Sequence, residues 1–366
     1  VRVVNVLATV RDKKGKIVNN LTREDFILAE DGRPQTIRYF TRQTDLPLTL
    51  GLLVDTSFSQ ARVLNDERTA SGAFTDDVLR ADKDSAFLIQ FSRDAELLQD
   101  LTKSPQKMHD SLSKLNAPTM EDRTGGNSGG GNSGGSSPGG GGYPGGGRGG
   151  RSMRGGGTVL YDAVFLASDE MMRKQKGRKA LVVLTDGVDR GSKESLDEAI
   201  ESAQRTNTIV YSVYFAGQEG GGWQRHDSDR GGRRGGGWPG GGGGWPGGGG
   251  GWPGGGGRRG GGYPGGGQGR EQRANVDGKK ILERLSKETG GRMFVVSKKE
   301  TISQIYSEIQ DELRNQYSLG YTPDRDDQNA PDYRHIQVTT RNKDMTVVAR
   351  EGYYASQQLD SKEQGN

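Results

Sequence analysis

Two glycine tracts decide which residues of this chain can build a core. Residues 125–157 hold 19 glycines and residues 217–269 hold 30, so 49 of the 62 glycines lie in these two stretches. Glycine loses more backbone freedom on folding than any other residue and brings no side chain to bury. Neither tract can bury enough apolar area to offset that loss, so both are expected to be disordered insertions. The second repeats Trp238-Pro239, Trp245-Pro246 and Trp252-Pro253 at a period of seven, echoed by Tyr143-Pro144 and Tyr263-Pro264. Glycine between the repeats rules out a coiled coil. The fold must come from the other 280 residues.

The tracts also carry the positive charge. The first has three Arg and no acid, and the second has six Arg against Glu219, Asp227 and Asp229. Together they contribute +6 to a net charge of +4, which leaves −2 on the remainder. The basic balance therefore describes the tracts and not a basic folded surface, which weakens a whole-protein case for nucleic acid or anionic membrane. The absence of Cys excludes a disulfide framework, Cys-ligated zinc or iron–sulfur, and a thiol nucleophile. The longest apolar stretch, residues 46–54, is about half of the ~20 residues that cross a bilayer, so no transmembrane segment is expected. No signal peptide is visible in the chain, which begins at Val1.

Residues 1–45 read as a β segment, with alternating apolar positions up to Val10 and a turn at Asp12-Lys13-Lys14-Gly15. Two more short strands are expected around Phe26 and Leu28 and around Ile37 and Tyr39, broken by Asp31-Gly32-Arg33-Pro34. From residue 46 to 315, short apolar runs alternate with helical periodicity, the pattern of a parallel sheet with helices on both faces. Strands are expected at 48–54, 86–91, 97–101, 180–184, 209–215 and 293–296. Helices are expected at 63–79, 105–115, 158–173, 193–206, 278–289 and 300–314, clearest where Ile302, Ile305, Ile309 and Leu313 recur at spacings of three and four. Residues 316–356 return to β, with Tyr317 to Tyr321, His335 to Thr340, Thr346 to Ala349 and a final Gly352-Tyr353-Tyr354, before a disordered tail at 357–366. The expected fold is α/β: a doubly wound, mostly parallel, Rossmann-like sheet, with a small flanking β subdomain of about six strands built from the N- and C-terminal segments.

The informative chemistry lies where the first α/β strand ends. Asp55-Thr56-Ser57-Phe58-Ser59 offers one carboxylate and two alternate hydroxyls at the carboxyl edge, where open α/β sheets bind ligands. Hard oxygen ligands there suit Mg²⁺ or Ca²⁺. Asp and Ser are also common helix N-caps, so this segment alone leaves both readings open. Two further segments converge on the same edge: Gly155-Gly156-Gly157-Thr158, leading into a helix, and Leu184-Thr185-Asp186-Gly187, ending the most hydrophobic strand.

Asp55, Ser57, Ser59, Thr158 and Asp186 resemble, in type, order and placement, the metal-ion-dependent adhesion site of the von Willebrand factor type A domain. Flanking residues extend the likeness: Leu21, Asp25-Phe26, Glu30-Asp31-Gly32 and Gln35-Thr36-Ile37 before the domain, and Gln316 to Tyr321 and Gly352-Tyr353-Tyr354 after it. These resemble the VWFA-related family described mainly from acidobacteria, from which the two insertions depart. The resemblance implies an exported bacterial protein, periplasmic, cell-surface or secreted. It also implies a non-enzymatic adhesion module holding Mg²⁺, with Mn²⁺ or Ca²⁺ possible. In this scheme Ser57, Ser59 and Thr158 contact the ion directly or through water, Asp55 and Asp186 hold it partly through water, and a carboxylate of a protein partner takes the open position. The set contains no general base or nucleophile.

Competing motifs lack context. Gly126-Asn127-Ser128-Gly129-Gly130 and Gly131-Asn132-Ser133-Gly134-Gly135 fit a hydrolase elbow formally, but neither follows a strand or opens a helix. His109, His226 and His335 have no zinc or triad spacing. Asp324-Arg325-Asp326-Asp327 lacks the Gly and Glu that a calcium loop requires. The alternative function rests on Arg148, Arg154, Arg230, Arg234 and Arg259, each opening an Arg-Gly-Gly triplet among Trp and Tyr rings able to stack on bases. That composition fits an RNA-binding or condensate-forming tail, though each tract carries only +3.

Overall fold

A computed structural model describes residues 3–42, 46–80, 82–116, 158–215, 268–324 and 332–355. Both glycine tracts, and the disorder expected of them, lie outside the described residues, apart from Gln268 and Gly269, which open a helix instead. The chain opens with four strands, β1 (Val4–Asp12), β2 (Phe26–Glu30), β3 (Arg33–Gln35) and β4 (Ile37–Arg42). The α/β domain follows with β5 (Leu48–Asp55), α1 (Leu64–Val78), β6 (Ser85–Phe91), β7 (Ala95–Thr102) and α2 (Pro105–Leu112). It continues with α3 (Leu160–Leu166), β8 (Arg178–Thr185), α4 (Leu196–Arg205), β9 (Ile209–Tyr214), α5 (Gln268–Thr289), β10 (Met293–Val295) and α6 (Ile302–Arg314). Four strands close the chain: β11 (Tyr317–Tyr321), β12 (Tyr333–Thr340), β13 (Met345–Ala349) and β14 (Gly352–Tyr354).

The six-stranded sheet runs β10-β9-β8-β5-β6-β7, parallel throughout except for the antiparallel edge strand β7. Every residue of β5, β8 and β9 is buried, as strands covered by helices on both faces must be. One face packs Leu50, Leu52 and Val182 against α1, α2 and α6 through Phe74, Met108 and Ile309. The other packs Leu53, Leu181 and Val183 against α3, α4 and α5 through Val164, Ile200 and Leu282. From β5 the chain winds first to β6 and β7 and then returns to β8 on its other side. That reversal opens a crevice at the carboxyl end of β5.

The terminal strands form two four-stranded sheets, β13-β1-β11-β4 and β14-β12-β2-β3. Val4, Val6, Ala8 and Val10 of β1 alternate into one core with Phe26, Leu28, Leu319 and Ile336, so the two sheets make a sandwich. Glu30 is buried there and accepts hydrogen bonds from the Tyr321 and Tyr353 hydroxyls. Glu312 of α6, also buried, ties the sandwich to the α/β domain by pairing with Arg11 at 2.7 Å and Arg292 at 2.6 Å.

Four expectations need correction. Among the described residues the terminal segments form eight strands where about six are expected, because β3 and β14 are three-residue strands too short to show alternation. The segment read as a break, Arg33-Pro34, is itself in strand β3: Asp31 and Gly32 take φ of 48° and 76° and turn a tight hairpin from β2. Pro34 is tolerated because β3 is an edge strand. The helix expected from residue 278 begins at Gln268, because residues 270–277 favour helix without presenting an apolar stripe. The helix expected over 158–173 starts at Leu160 and passes into a π-helical turn over Ala167–Met172.

Candidate functional site

β5 delivers Asp55 to the carboxyl edge with its side chain fully buried. The Ser57 N–H donates to Asp55 Oδ1 at 2.8 Å, and the Thr185 hydroxyl, at the end of β8, donates to Oδ2 at 2.6 Å. Burial pushes the Asp55 carboxyl up to about 6 from the usual 3.8, against the lowering effect of the Ser57 and Thr185 hydrogen bonds and with the help of the nearby Asp186 charge. The loop beyond is held down by the Thr56 N–H donating to Phe91 O at 2.9 Å and by a turn in which the Gln60 N–H donates to Ser57 O at 2.9 Å. Along this turn Ser57 is half-buried, Ser59 is exposed, and their hydroxyls lie 3.0 Å apart. Phe58 between them is 52% exposed.

Asp186 follows β8 directly and is buried, its Oδ1 accepting from the Val188 N–H at 3.1 Å. Thr185 completes the link by accepting the Gly187 N–H at 3.1 Å while donating to Asp55. The loop is fixed from behind by two glycines. Gly187 has φ of 73°, and a Cβ on Gly278 of α5 would lie 2.3 Å from Asp186 O, so only Gly allows this approach.

Thr158 is brought to the same edge through the backbone. The next residue, Val159, donates to Ser92 O beyond β6 at 2.9 Å, and Thr158 O accepts from the Arg190 N–H beyond β8 at 3.0 Å. Ser192 Oγ accepts the Tyr161 and Asp162 N–H groups at 3.1 Å, and Asp162 Oδ1 accepts those of Lys193 and Glu194. Thr158 is thereby pinned independently of the glycines that precede it. The structure thus puts all five sequence-derived residues at one edge, with Asp55, Ser57 and Ser59 in a hydrogen-bonded chain and Thr158 and Asp186 on adjoining loops. Among the described residues no three His, Asp or Glu side chains lie close enough to hold a metal ion by themselves. A cation here would depend on hydroxyls and water as much as on carboxylate.

Thr185, Glu67 and Gln60 escaped the sequence reading. Glu67 of α1 is fully buried, and burial, then the charges of Asp55 and Asp66, push its carboxyl well above the usual range. Its signal was present in the sequence: Leu64, Glu67, Ser71, Phe74 and Val78 recur at three and four, which puts a carboxylate on the apolar stripe. The other candidates stay apart from the site. His109 pairs with Asp76 at 2.9 Å, His335 is exposed on β12, and Asp324 is exposed. His226, the two Gly-x-Ser-x-Gly matches, the rest of the Asp324 turn and the Arg-Gly-Gly triplets lie outside the described residues.

No protein-family model and no curated protein matches the sequence. Solved structures do overlap with it. An aerotolerance-related membrane protein from Bacteroides fragilis is 13% identical over 73% of this chain and 98% of its own, with a TM-score of 0.41. BatB from Bacteroides thetaiotaomicron is 16% identical over 73% and 97%, with a TM-score of 0.37. Proximal thread matrix protein 1 from the mussel byssus, in a structure described as having a zinc-occupied MIDAS motif, is 10% identical over 78% and 50%, with a TM-score of 0.43. These TM-scores are all below 0.5. By its own strand order, antiparallel edge strand and helices on both faces, the α/β domain is von Willebrand factor type A-like in fold, as the sequence resemblance implied.

Proposed function

We propose that this chain is a metal-ion-dependent protein-binding module. Asp55, Ser57, Ser59, Thr158 and Asp186 would hold a divalent cation of the Mg²⁺ class, with Mn²⁺ and Ca²⁺ as alternatives. The observation that carries the proposal is the pair of hydroxyls of Ser57 and Ser59, standing 3.0 Å apart beside a buried carboxylate whose two oxygens are already oriented. Asp55 accepts from the Ser57 N–H on one oxygen and from the Thr185 hydroxyl on the other, and its two oxygens have lone pairs for a cation besides. Asp55 and Asp186 are close enough for one to raise the other's proton affinity, a repulsion that a cation relieves.

Three neutral hydroxyls among five donors would leave a bound ion short of negative charge, and it would supply an electrophilic position for an external carboxylate. The partner in this reading is a protein that presents an Asp or Glu side chain. The chain's own residues contribute binding and orientation, with no catalytic role. Export to the periplasm, cell surface or medium belongs to the same proposal, in keeping with a protein that meets its partners outside the cell.

The test is calorimetric titration of Mg²⁺ and Mn²⁺ into chelator-treated protein, alongside an Asp55→Ala, Asp186→Ala double variant checked for folding by circular dichroism. Saturable binding lost in the variant is the expected result. Equal binding by both proteins would place the metal elsewhere and defeat the proposal.

A further inference from the structure

Glu67 is a buried acidic side chain near the site that the five-residue set does not use. It is fully buried in α1, and neither carboxylate oxygen has a hydrogen-bond partner among the described residues. Gln60, one turn ahead of α1 and joined to it by the Leu64 N–H donating to Gln60 O at 3.2 Å, is buried with both amide atoms equally unpartnered. Seven residues apart on a helical path, the two lie on one face. The next polar groups along that face are committed to each other: Ser71 Oγ and Tyr306 Oη lie 2.7 Å apart. The charges acting on Glu67 are those of Asp55 and Asp66, and both are negative.

A buried carboxylate without donors, under the charge of other carboxylates, is a costly arrangement for a fold to keep without compensation. The orphaned atoms fit the cation that the five-residue set would hold. Such an ion would offset the charge, and water on it would supply O–H donors to oxygens that lack them. Among the described residues no three carboxylates converge on one point, so Glu67 does not complete a carboxylate triad with Asp55 and Asp186. We infer that Glu67 is a positioning residue of the cation site, which would accept hydrogen bonds from water on the bound ion and add a third negative charge to a hydroxyl-rich set. This inference rests on the cation-site reading of Asp55, Ser57, Ser59, Thr158 and Asp186.

Glu67→Gln keeps the shape and removes the charge. The experiment measures Mg²⁺ affinity by calorimetry and the melting temperature in chelator, on the full chain. If Glu67 serves the ion, the variant binds Mg²⁺ about 10- to 100-fold more weakly, as is typical when an outer partner of a metal ligand is lost. It also melts higher than wild type in chelator, because the cost of burying an ionisable carboxyl is gone. A purely structural Glu67 would move stability without moving affinity. Glu67→Leu, which removes every polar atom at similar volume, provides the same comparison should the Gln variant fail to fold. Wild-type Mg²⁺ affinity in a folded Glu67 variant overturns the inference while leaving the five-residue site intact. No Mg²⁺ binding by the wild-type protein at millimolar concentration overturns the site reading, and this inference with it.

Discussion

Replacing Asp55 by Asn separates the charge of the site from its shape. In the fold the Asp55 carboxyl is raised from 3.8 to about 6, so the folded state holds this proton more tightly than the unfolded chain does. The stability this contributes is complete below pH 3.8 and is lost as pH rises through about 6. Above pH 7 without metal, ionised Asp55 costs the fold about 3 kcal/mol relative to its protonated form. Asn removes that cost but cannot accept from both Ser57 N–H and Thr185 O–H as the carboxylate does, a mismatch of about 1 kcal/mol. The net expectation for Asp55→Asn in chelator at pH 8 is a gain of about 2 kcal/mol, or roughly 4–8 °C in melting temperature. At pH 4 the gain disappears. Excess Mg²⁺ at 100 times its Kd then raises wild type by about 2.7 kcal/mol and leaves the Asn variant unmoved, reversing their order. Thermal melts at the two pH values, with chelator and with Mg²⁺, read all four conditions. An Asn variant less stable than wild type in chelator at pH 8, or a gap independent of pH, would refute the reasoning.

Other positions give simpler expectations. Gly278→Ala pushes a methyl group into Asp186 O, so a loss of about 1–3 kcal/mol in urea unfolding should accompany weaker Mg²⁺ binding. Thr185→Val removes the donor to Asp55 and the acceptor of Gly187 N–H; about 1–3 kcal/mol of stability should go, and the Asp55 carboxyl should titrate higher by NMR. Glu312→Ala leaves Arg11 and Arg292 facing each other without their shared carboxylate. Denaturant unfolding should show a loss of about 3–5 kcal/mol, with Mg²⁺ affinity unchanged in the folded fraction.

Much of the fold is legible in the sequence because its central strands are covered on both faces. The run ending at Asp55 and the run ending at Thr185 need no alternation to be read as strands, and the stripe from Ile302 to Leu313 can pack in only one way. Legibility fails where local preference and context disagree. Pro34 reads as a break until the sheet order shows it at an edge, and residues 270–277 carry helix propensity with no apolar stripe to announce it. At the site, Asp55, Ser57 and Ser59 stand out as candidates through the family resemblance, because one short loop carries all three. Thr185 and Glu67 do not, because their roles depend on which strand neighbours β5 and on which atoms are left without partners after packing. Glu67 was visible as a carboxylate on an apolar stripe, but only the tertiary arrangement sets it near Asp55.

The most direct test of the cation site is an anomalous difference map from crystals of this protein soaked in Mn²⁺. The account predicts a single strong peak in the crevice at the carboxyl end of β5, in contact with the Ser57 and Ser59 hydroxyls and absent from Asp55→Asn crystals. A map without that peak at millimolar Mn²⁺, or with the ion bound elsewhere and the crevice empty, would contradict it.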